Sequence, residues 1–252
     1  MKILILGGTT DSRQLAGALD ARGDAEVTLS LAGRTAAPRA QGVPTRVGGF
    51  GGAEGLANFI EAESIGVLID ATHPYADRIS ANAELAAEKT GVPFLALRRA
   101  PWVAVPGDRW IEAATVAEAA AIGPDPVRVF LALGRKDIAP FESAPQHTYL
   151  VRSVDPIDPP LAVPNAEYVT ARGPFSEADD RMLLEQNGIE VVVSKNSGGE
   201  ASYGKIAAAR ALHIPVVMIR RPDLPDAPSA ATVSEALAWC DHALTVAAMR
   251  GV

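Results

Sequence analysis

KILILGGTTDSRQLAGAL, residues 2–19, passes from a short apolar segment through paired glycines into a segment of helical spacing, with no linker between them. A strand, a glycine turn and a helix in that order open a doubly wound α/β domain. Gly7 and Gly8 fall in the tight turn. Thr9, Thr10, Asp11 and Ser12 open the helix, where unbonded N–H groups and the helix dipole favour an anion, so position alone makes this a phosphate site. The G-x-G-x-x-G fingerprint is not met, because the glycines are adjacent and Arg13 stands where a third glycine might fall. An ordinary βα turn therefore stays open as the other reading.

Outward from this stretch, apolar runs closed by Gly, Thr, Asp or Pro alternate with helical periodicity along the whole chain. Strands are expected near 2–6, 26–31, 44–47, 66–70 and 93–97, with helices near 11–22, 53–62 and 77–90. The second half repeats the habit, with strands near 128–133, 148–153, 167–171, 190–194 and 215–219 and helices near 177–187, 203–213 and 232–243. The strands are continuously apolar rather than alternating, which suits parallel sheets covered on both faces. The expected fold is α/β, with two Rossmann-like domains, each a mostly parallel sheet flanked by helices. The Gly-Pro-Asp-Pro break at 123–126 sets the boundary, giving an N-terminal domain at 1–125 and a C-terminal one at 126–252. The Pro-rich run at 153–165 reads as a long rigid loop.

Composition narrows the partners. The chain has 252 residues, 48% of them hydrophobic, and a net charge of −7 from 23 basic and 30 acidic residues. That balance argues against a nucleic-acid binder, and an anionic small molecule would need a local basic pocket. The single cysteine, Cys240, excludes an intrachain disulfide framework and fits a reducing compartment, so a cytoplasmic protein is expected. His73, His147, His213 and His242 show no ligand spacing, and no metal is expected. The first apolar run is too short for a signal-peptide core, and no later run approaches a membrane span.

The second strand leads into AGRT, residues 32–35, with no acid at the place where NAD enzymes hold the ribose hydroxyls. Gly33 is followed by Arg34, and a guanidinium there is what a 2′-phosphate requires, so the residues favour NADPH over NADH. A solvated loop charge is the alternative for Arg34. Gly48, Gly49 and Gly51 would let the backbone approach the adenosine or pyrophosphate closely. DATHPYADR, residues 70–78, follows the fourth apolar strand and, in a sheet of order 3-2-1-4-5, lies beside the first strand at the switch point. Thr72 and His73 would face the cofactor there. His73 could donate a hydrogen bond or a proton, or it could cap the turn before Pro74.

Each strand end of the second half carries a cation: GRKD at 134–137, ARGPFS at 171–176 and SKNSGGEASYGK at 194–205. Lys136, Arg172, Lys195 and Lys205, with the backbone N–H groups of Ser197, Gly198 and Gly199, would make an anion pocket. Gly199, Gly204 and Lys205 have the spacing of a nucleotide P-loop, but Ile206 replaces the hydroxyl that binds Mg²⁺. A substrate carboxylate or a cofactor phosphate is the anion expected at this turn.

ILGGTTDSRQLA, AGRT, DATHPYA, the Gly134–Arg135 pair and SKNSGG with YGKIAAARALHIPVVMIRRP together resemble the precorrin-6A reductase family of cobalamin biosynthesis, over nearly the whole chain. DATHPYA and KNSGG are specific in combination. The resemblance implies an oxidoreductase that uses NADPH to reduce one double bond of the tetrapyrrole precorrin-6A to precorrin-6B, with the ligands in the cleft between two domains. It also allows hand-over to neighbouring enzymes of the pathway. Gly7, Gly8, Thr9, Thr10, Gly33, Arg34, Thr35 and Gly49 fall on the cofactor side, and Thr72, His73 and Pro74 match the interdomain motif. Lys195, Asn196, Ser197, Gly198 and Gly199 match the second-domain loop, with Lys136, Arg172 and Lys205 beside them for the substrate's carboxylates. The macrocycle can itself accept electrons, so no acid or base is obligatory, and His73, Tyr75 and Lys195 are the candidates for a catalytic role.

Three other classes compete for these residues. A short-chain dehydrogenase needs Tyr-x-x-x-Lys, and the residues four after Tyr75, Tyr149, Tyr168 and Tyr203 are Ile79, Ser153, Arg172 and Ala207. A P-loop ATPase lacks its hydroxyl at Ile206. A non-catalytic nucleotide-sensing module would share the Rossmann halves.

Overall fold

The structure, a computed structural model, describes residues 1–33 and 40–249, with the backbone alone at 246–249. It divides into two compact units, Met1–Ala100 with Pro222–Val252, and Pro101–Arg221.

The first unit holds β1 (Lys2–Leu6), α1 (Thr10–Asp20), β2 (Glu26–Leu31), β3 (Thr45–Val47), α2 (Ala53–Ala62), β4 (Ile65–Asp70), α3 (Asp77–Thr90) and β5 (Phe94–Leu97). These bounds follow the apolar runs closely, because the runs are what the sheet buries. Ile3, Leu4 and Ile5 are fully buried, as a strand covered on both faces requires. With β12 (Ser229–Ala230) at one edge, the strand order is β12-β5-β4-β1-β2-β3 and every pairing is parallel, so the 3-2-1-4-5 order holds. Ile3, Ile5, Val27 and Leu29 share one apolar cluster with Leu15 and Leu19 of α1, while Leu4 and Leu68 share another with Leu56 and Ile60 of α2 and Ala83 of α3. Each such leucine contributes about 1.5–3 kcal/mol by leaving water.

The second unit holds β6 (Trp110–Ala113), α4 (Val116–Ala120), β7 (Arg128–Ala132), β8 (Thr148–Ser153), β9 (Ala166–Thr170), α5 (Glu177–Gln186), β10 (Val191–Lys195), α6 (Gly204–Ala211) and β11 (Val216–Ile219). Its order is β6-β11-β10-β7-β8-β9, again all parallel. Ile206 is fully buried in the cluster of Phe130, Val192 and Met218, the apolar contact of α6 with its sheet.

The expected boundary at 125/126 does not coincide with this division, whose crossings fall at Ala100/Pro101 and Arg221/Pro222. The reason is non-local pairing. β6 lies before residue 125, yet it hydrogen-bonds to β11, with Trp110 opposite Val216 and Ala113 opposite Ile219. After the second crossing, β12 (Ser229–Ala230) pairs with β5. The following helix α7 (Val233–Met249) returns Ala236 and Cys240, both buried, to the cluster around β1 and α1. The Gly-Pro-Asp-Pro break is a local turn ahead of β7, and local punctuation carries no record of which sheet a strand joins.

This discontinuity is testable. Replacing Ala236, more than 200 residues from β1 in sequence, with Asp would bury an unpaired carboxylate in the core of the first unit. Ala236→Asp should cost at least about 3 kcal/mol. Hydrogen exchange of the β1 amides checks this, since they should lose protection in the variant.

Candidate active site

All strands of the first sheet end at one edge, and three of those ends are tied together there. The Thr9 side chain caps α1 by accepting from the Ser12 N–H at 3.0 Å, and its hydroxyl donates to the Ala71 carbonyl at 2.9 Å, joining the ends of β1 and β4. The Gly7 N–H is held by the Ser30 carbonyl of β2 at 2.9 Å. Gly8 and Thr9 turn their N–H groups onto the Ser12 hydroxyl, at 3.2 and 3.1 Å. What remains for a ligand is the N–H of Thr10 and of Asp11, the first two of the helix, which have no acceptor among the described residues. The Asp11 carboxylate beside them pairs with Arg99 at 2.8 Å.

Glycine is required at this turn. A Cβ on Gly7 would lie 2.6 Å from Leu29 Cδ1 and 2.9 Å from Ser12 Oγ, and Gly8 has φ +119°. The edge thus has what an anion such as a phosphate group requires. Two helical N–H groups are unused, the backbone is bare of side chains, and a cation lies on the adjacent acid.

The DATHPYA segment is organised by Asp70, which is buried at the end of β4. Its Oδ1 accepts from the Thr72 N–H at 3.1 Å and the Thr72 hydroxyl at 2.6 Å, and its Oδ2 accepts from the Ser80 hydroxyl at 2.5 Å. Thr72 therefore turns its hydroxyl proton inward to Asp70 instead of outward. His73 Nδ1 accepts from the Tyr75 N–H at 3.3 Å, which leaves the proton of the neutral ring on Nε2. The two rings are 5.6 Å apart, both half-buried, with Pro74 buried between them in sequence. His73 and Tyr75 are thus brought together, beside the α1 turn through Ala71. Arg34 and Thr35 lie outside the described residues, whereas Gly33 (φ +69°) and Gly49 lie at the joined ends of β2 and β3.

The second sheet gathers its own strand ends, but the expected pocket of bare cations is not what forms. Lys195 pairs with Asp137 of the GRKD turn at 2.8 Å, and Arg172 lies 3.9 Å from Asp155. Lys136 is exposed on that same turn. Asn196 spends its amide on the backbone of Trp102, accepting from its N–H at 2.8 Å and donating to its carbonyl at 2.9 Å. The Trp102 indole donates to the Gly199 carbonyl at 2.8 Å, and Arg221 donates to the Asn196 carbonyl at 2.9 Å. Gly198 and Gly199, with φ +67° and +70°, make the left-handed turn that carries Ser197 through this loop.

Lys205 departs furthest from expectation. It is buried, donates to the Ser202 carbonyl at 2.6 Å and lies 4.9 Å from the Trp102 ring, so it braces the loop from within instead of lining it. Burial, reinforced by the Arg152 cation and opposed by Asp180, brings its ammonium down to about 7. Gly204 is needed because a Cβ there would meet the Phe175 carbonyl oxygen at 2.7 Å. The P-loop spacing is thus a packing requirement followed by a buried lysine.

Asp70, Trp102 and Asp137 were missed from sequence. An Asp at a strand end and a Trp in a linker carry no local signal of their partners. For Asp137 the cation at Lys195 was a usable hint, since an acidic protein places few cations without a carboxylate near by.

Residues 2–241 match the family model described as precorrin-6x reductase CbiJ/CobK. The precorrin-6A reductase of a Sinorhizobium species is 54% identical over 247 residues, 98% of this chain and 95% of that protein. The precorrin-6A reductase of Rhodobacter capsulatus is 47% identical, over 97% of this chain and 98% of its own. A solved structure titled CobK precorrin-6A reductase superposes with a TM-score of 0.93 at 45% identity, covering 96% of this chain and 97% of that one. The chain belongs to the precorrin-6x reductase family.

Two outcomes follow from the geometry. Gly7→Ala should destabilise the first unit by about 1–3 kcal/mol through overpacking against Leu29 and Ser12, read from urea unfolding. For Lys205, the unfolded chain holds a proton that the folded one lacks between about pH 7 and about pH 10.4, so stability rises with pH across that window. The stability of the wild type relative to Lys205→Met should therefore increase from pH 7 to pH 9, by on the order of 1 kcal/mol per pH unit. Denaturation midpoints at the two pH values check this.

Proposed function

We propose that this family member reduces one double bond of metal-free precorrin-6A, with NADPH as hydride donor, to give precorrin-6B. The observation that carries the reading is the match, along almost the full length, to reductases of that name combined with the phosphate-ready edge of the first sheet. The metal-free substrate is favoured by the order of identities. The cobalt-precorrin-6A reductase of Priestia megaterium is 31% identical, well below the 54% and 47% of the precorrin-6A reductases. Cys240, a buried free thiol, supports a reducing, cytoplasmic setting.

In this reading the N–H groups of Thr10 and Asp11 receive a phosphate, with Gly7 and Gly8 permitting close approach and Gly33 and Gly49 toward the adenosine side, while Arg34 and Thr35 are assigned to the cofactor from the sequence alone. The nicotinamide, when bound, supplies the hydride. Asp70 fixes the segment through Thr72 and Ser80, so that His73 and Tyr75 are presented in one arrangement. His73 and Tyr75 are the side chains of this segment assigned to the reacting face. In the second unit Lys195, Lys136 and Arg172 offer charge-assisted hydrogen bonds to carboxylates, and Asn196 with Trp102 holds the loop of Ser197, Gly198 and Gly199 in place. Lys195 and Arg172 are held by Asp137 and Asp155, so a substrate carboxylate adds to an existing pair instead of meeting a naked cation. The residues of the chain therefore act by orientation and local charge.

Adding precorrin-6A to the protein with NADPH should consume the absorbance of the reduced nicotinamide, with NADH at least tenfold poorer in kcat/KM. No oxidation of NADPH with authentic substrate would discard the reading. Lys195→Ala should raise KM for the tetrapyrrole by about tenfold, the worth of one charge-assisted hydrogen bond, with kcat little changed. A loss confined to kcat would contradict a carboxylate-binding role.

A further inference from the structure

The end of β2 reads Ser30-Leu31-Ala32-Gly33 and holds no carboxylate. In the parallel register, Ser30 stands opposite Arg46 of β3. Arg46 Nη1 donates to the Ser30 hydroxyl at 3.0 Å and to the Gly48 carbonyl at 2.9 Å, while Nη2 donates to the Gly49 carbonyl at 3.2 Å. The two strand ends are joined here, since the Gly48 N–H donates to the Leu31 carbonyl at 2.9 Å and a Cβ on Gly33 would lie 3.3 Å from Val47.

The guanidinium is also fixed in plane. It lies 3.8 Å from the centre of the Phe50 ring and 5.3 Å from that of Phe59, and the two rings meet edge to face at 5.1 Å. Phe50 is itself seated under α2, for a Cβ on Gly55 would fall 1.7 Å from the Phe50 carbonyl oxygen. Half-buried and held on both sides, Arg46 has no carboxylate partner among the described residues, and its hydrogen bonds to Ser30, Gly48 and Gly49 all go to neutral oxygens. A cation taken partly out of water beside carbonyl dipoles alone is compensated best by an anion from outside. A rigid planar fork suits a phosphate monoester.

We propose that Arg46 is a specificity-determining residue of the first unit, its guanidinium supplying the positive charge that pairs with the 2′-phosphate of the dinucleotide at the joined ends of β2 and β3. This rests on reading that edge as an NADPH site. Arg46 acts on the choice between NADPH and NADH, and the carbonyls of Gly48 and Gly49 with the Phe50 ring hold it ready for that role.

The test is calorimetric titration of 2′,5′-ADP and of 5′-ADP into the full chain, wild type, Arg46→Gln and Arg46→Lys, with thermal unfolding recorded for each. The wild type should bind 2′,5′-ADP at least tenfold tighter than 5′-ADP. Arg46→Gln should abolish that preference while weakening 5′-ADP less than about threefold, and Arg46→Lys, which keeps the charge without the fork, should retain part of it. If Arg46→Gln keeps the preference, or weakens both nucleotides equally as a merely structural brace would, the inference is overturned and the NADPH reading stands. Should Arg46→Gln unfold, the Lys variant decides alone, since a preference equal to that of the wild type overturns the inference. No preference in the wild type would overturn both together.

Discussion

The hydrogen bond from the Thr9 hydroxyl to the Ala71 carbonyl joins the ends of β1 and β4, the two strands at the switch point of the first sheet. Because the strands are parallel, every strand end and every loop after it falls on that edge, and this bond sets how far apart the α1 turn and the DATHPYA segment stand. Thr9 simultaneously caps α1. The same hydroxyl thus couples the N-terminal end of α1 to the segment that carries His73. Asp70 completes the arrangement by drawing Thr72 and Ser80 inward. A buried carboxylate with three donors is a stable arrangement, and it determines which groups of the segment remain for chemistry.

The second unit repeats the topology with a different distribution of charge. Its strand ends carry cations paired to Asp137 and Asp155, and its glycine turn is braced by Asn196, Trp102 and the buried Lys205. Pairing of this kind keeps cations ordered on a protein of net charge −7.

The regular elements were legible because they are written in local pattern. Continuous apolar runs such as KILIL and EVVVS could only be buried strands, and the capping residues Thr9 and Ser176 stand where their helices start. The edge strands β6 and β12 were not legible. Ser229–Ala230 is two residues long, and Trp110–Ala113 is a partly exposed edge strand with only Ala113 buried, so neither carries the apolar run of a central strand. Missing them moved the boundary to 125/126. At the site, residue types are readable in the sequence but partners are not: Lys205 reads as a loop cation, whereas it is buried with its ammonium 4.9 Å from the ring of Trp102, far away in sequence. Arg46 is silent in the sequence because a single arginine in a three-residue strand has no pattern, and its meaning comes from the register with Ser30.

The central claim is that the C-terminal edge of the first sheet, organised by Thr9 and Ala71, is where a phosphorylated dinucleotide lies. A crystal structure of the protein with NADP⁺ tests it most directly. The account predicts a phosphate within hydrogen-bond distance of the Thr10 and Asp11 N–H groups and the adenosine ribose beside Gly33 and Gly49. A dinucleotide held instead on the glycine turn after β10 in the second unit would contradict it.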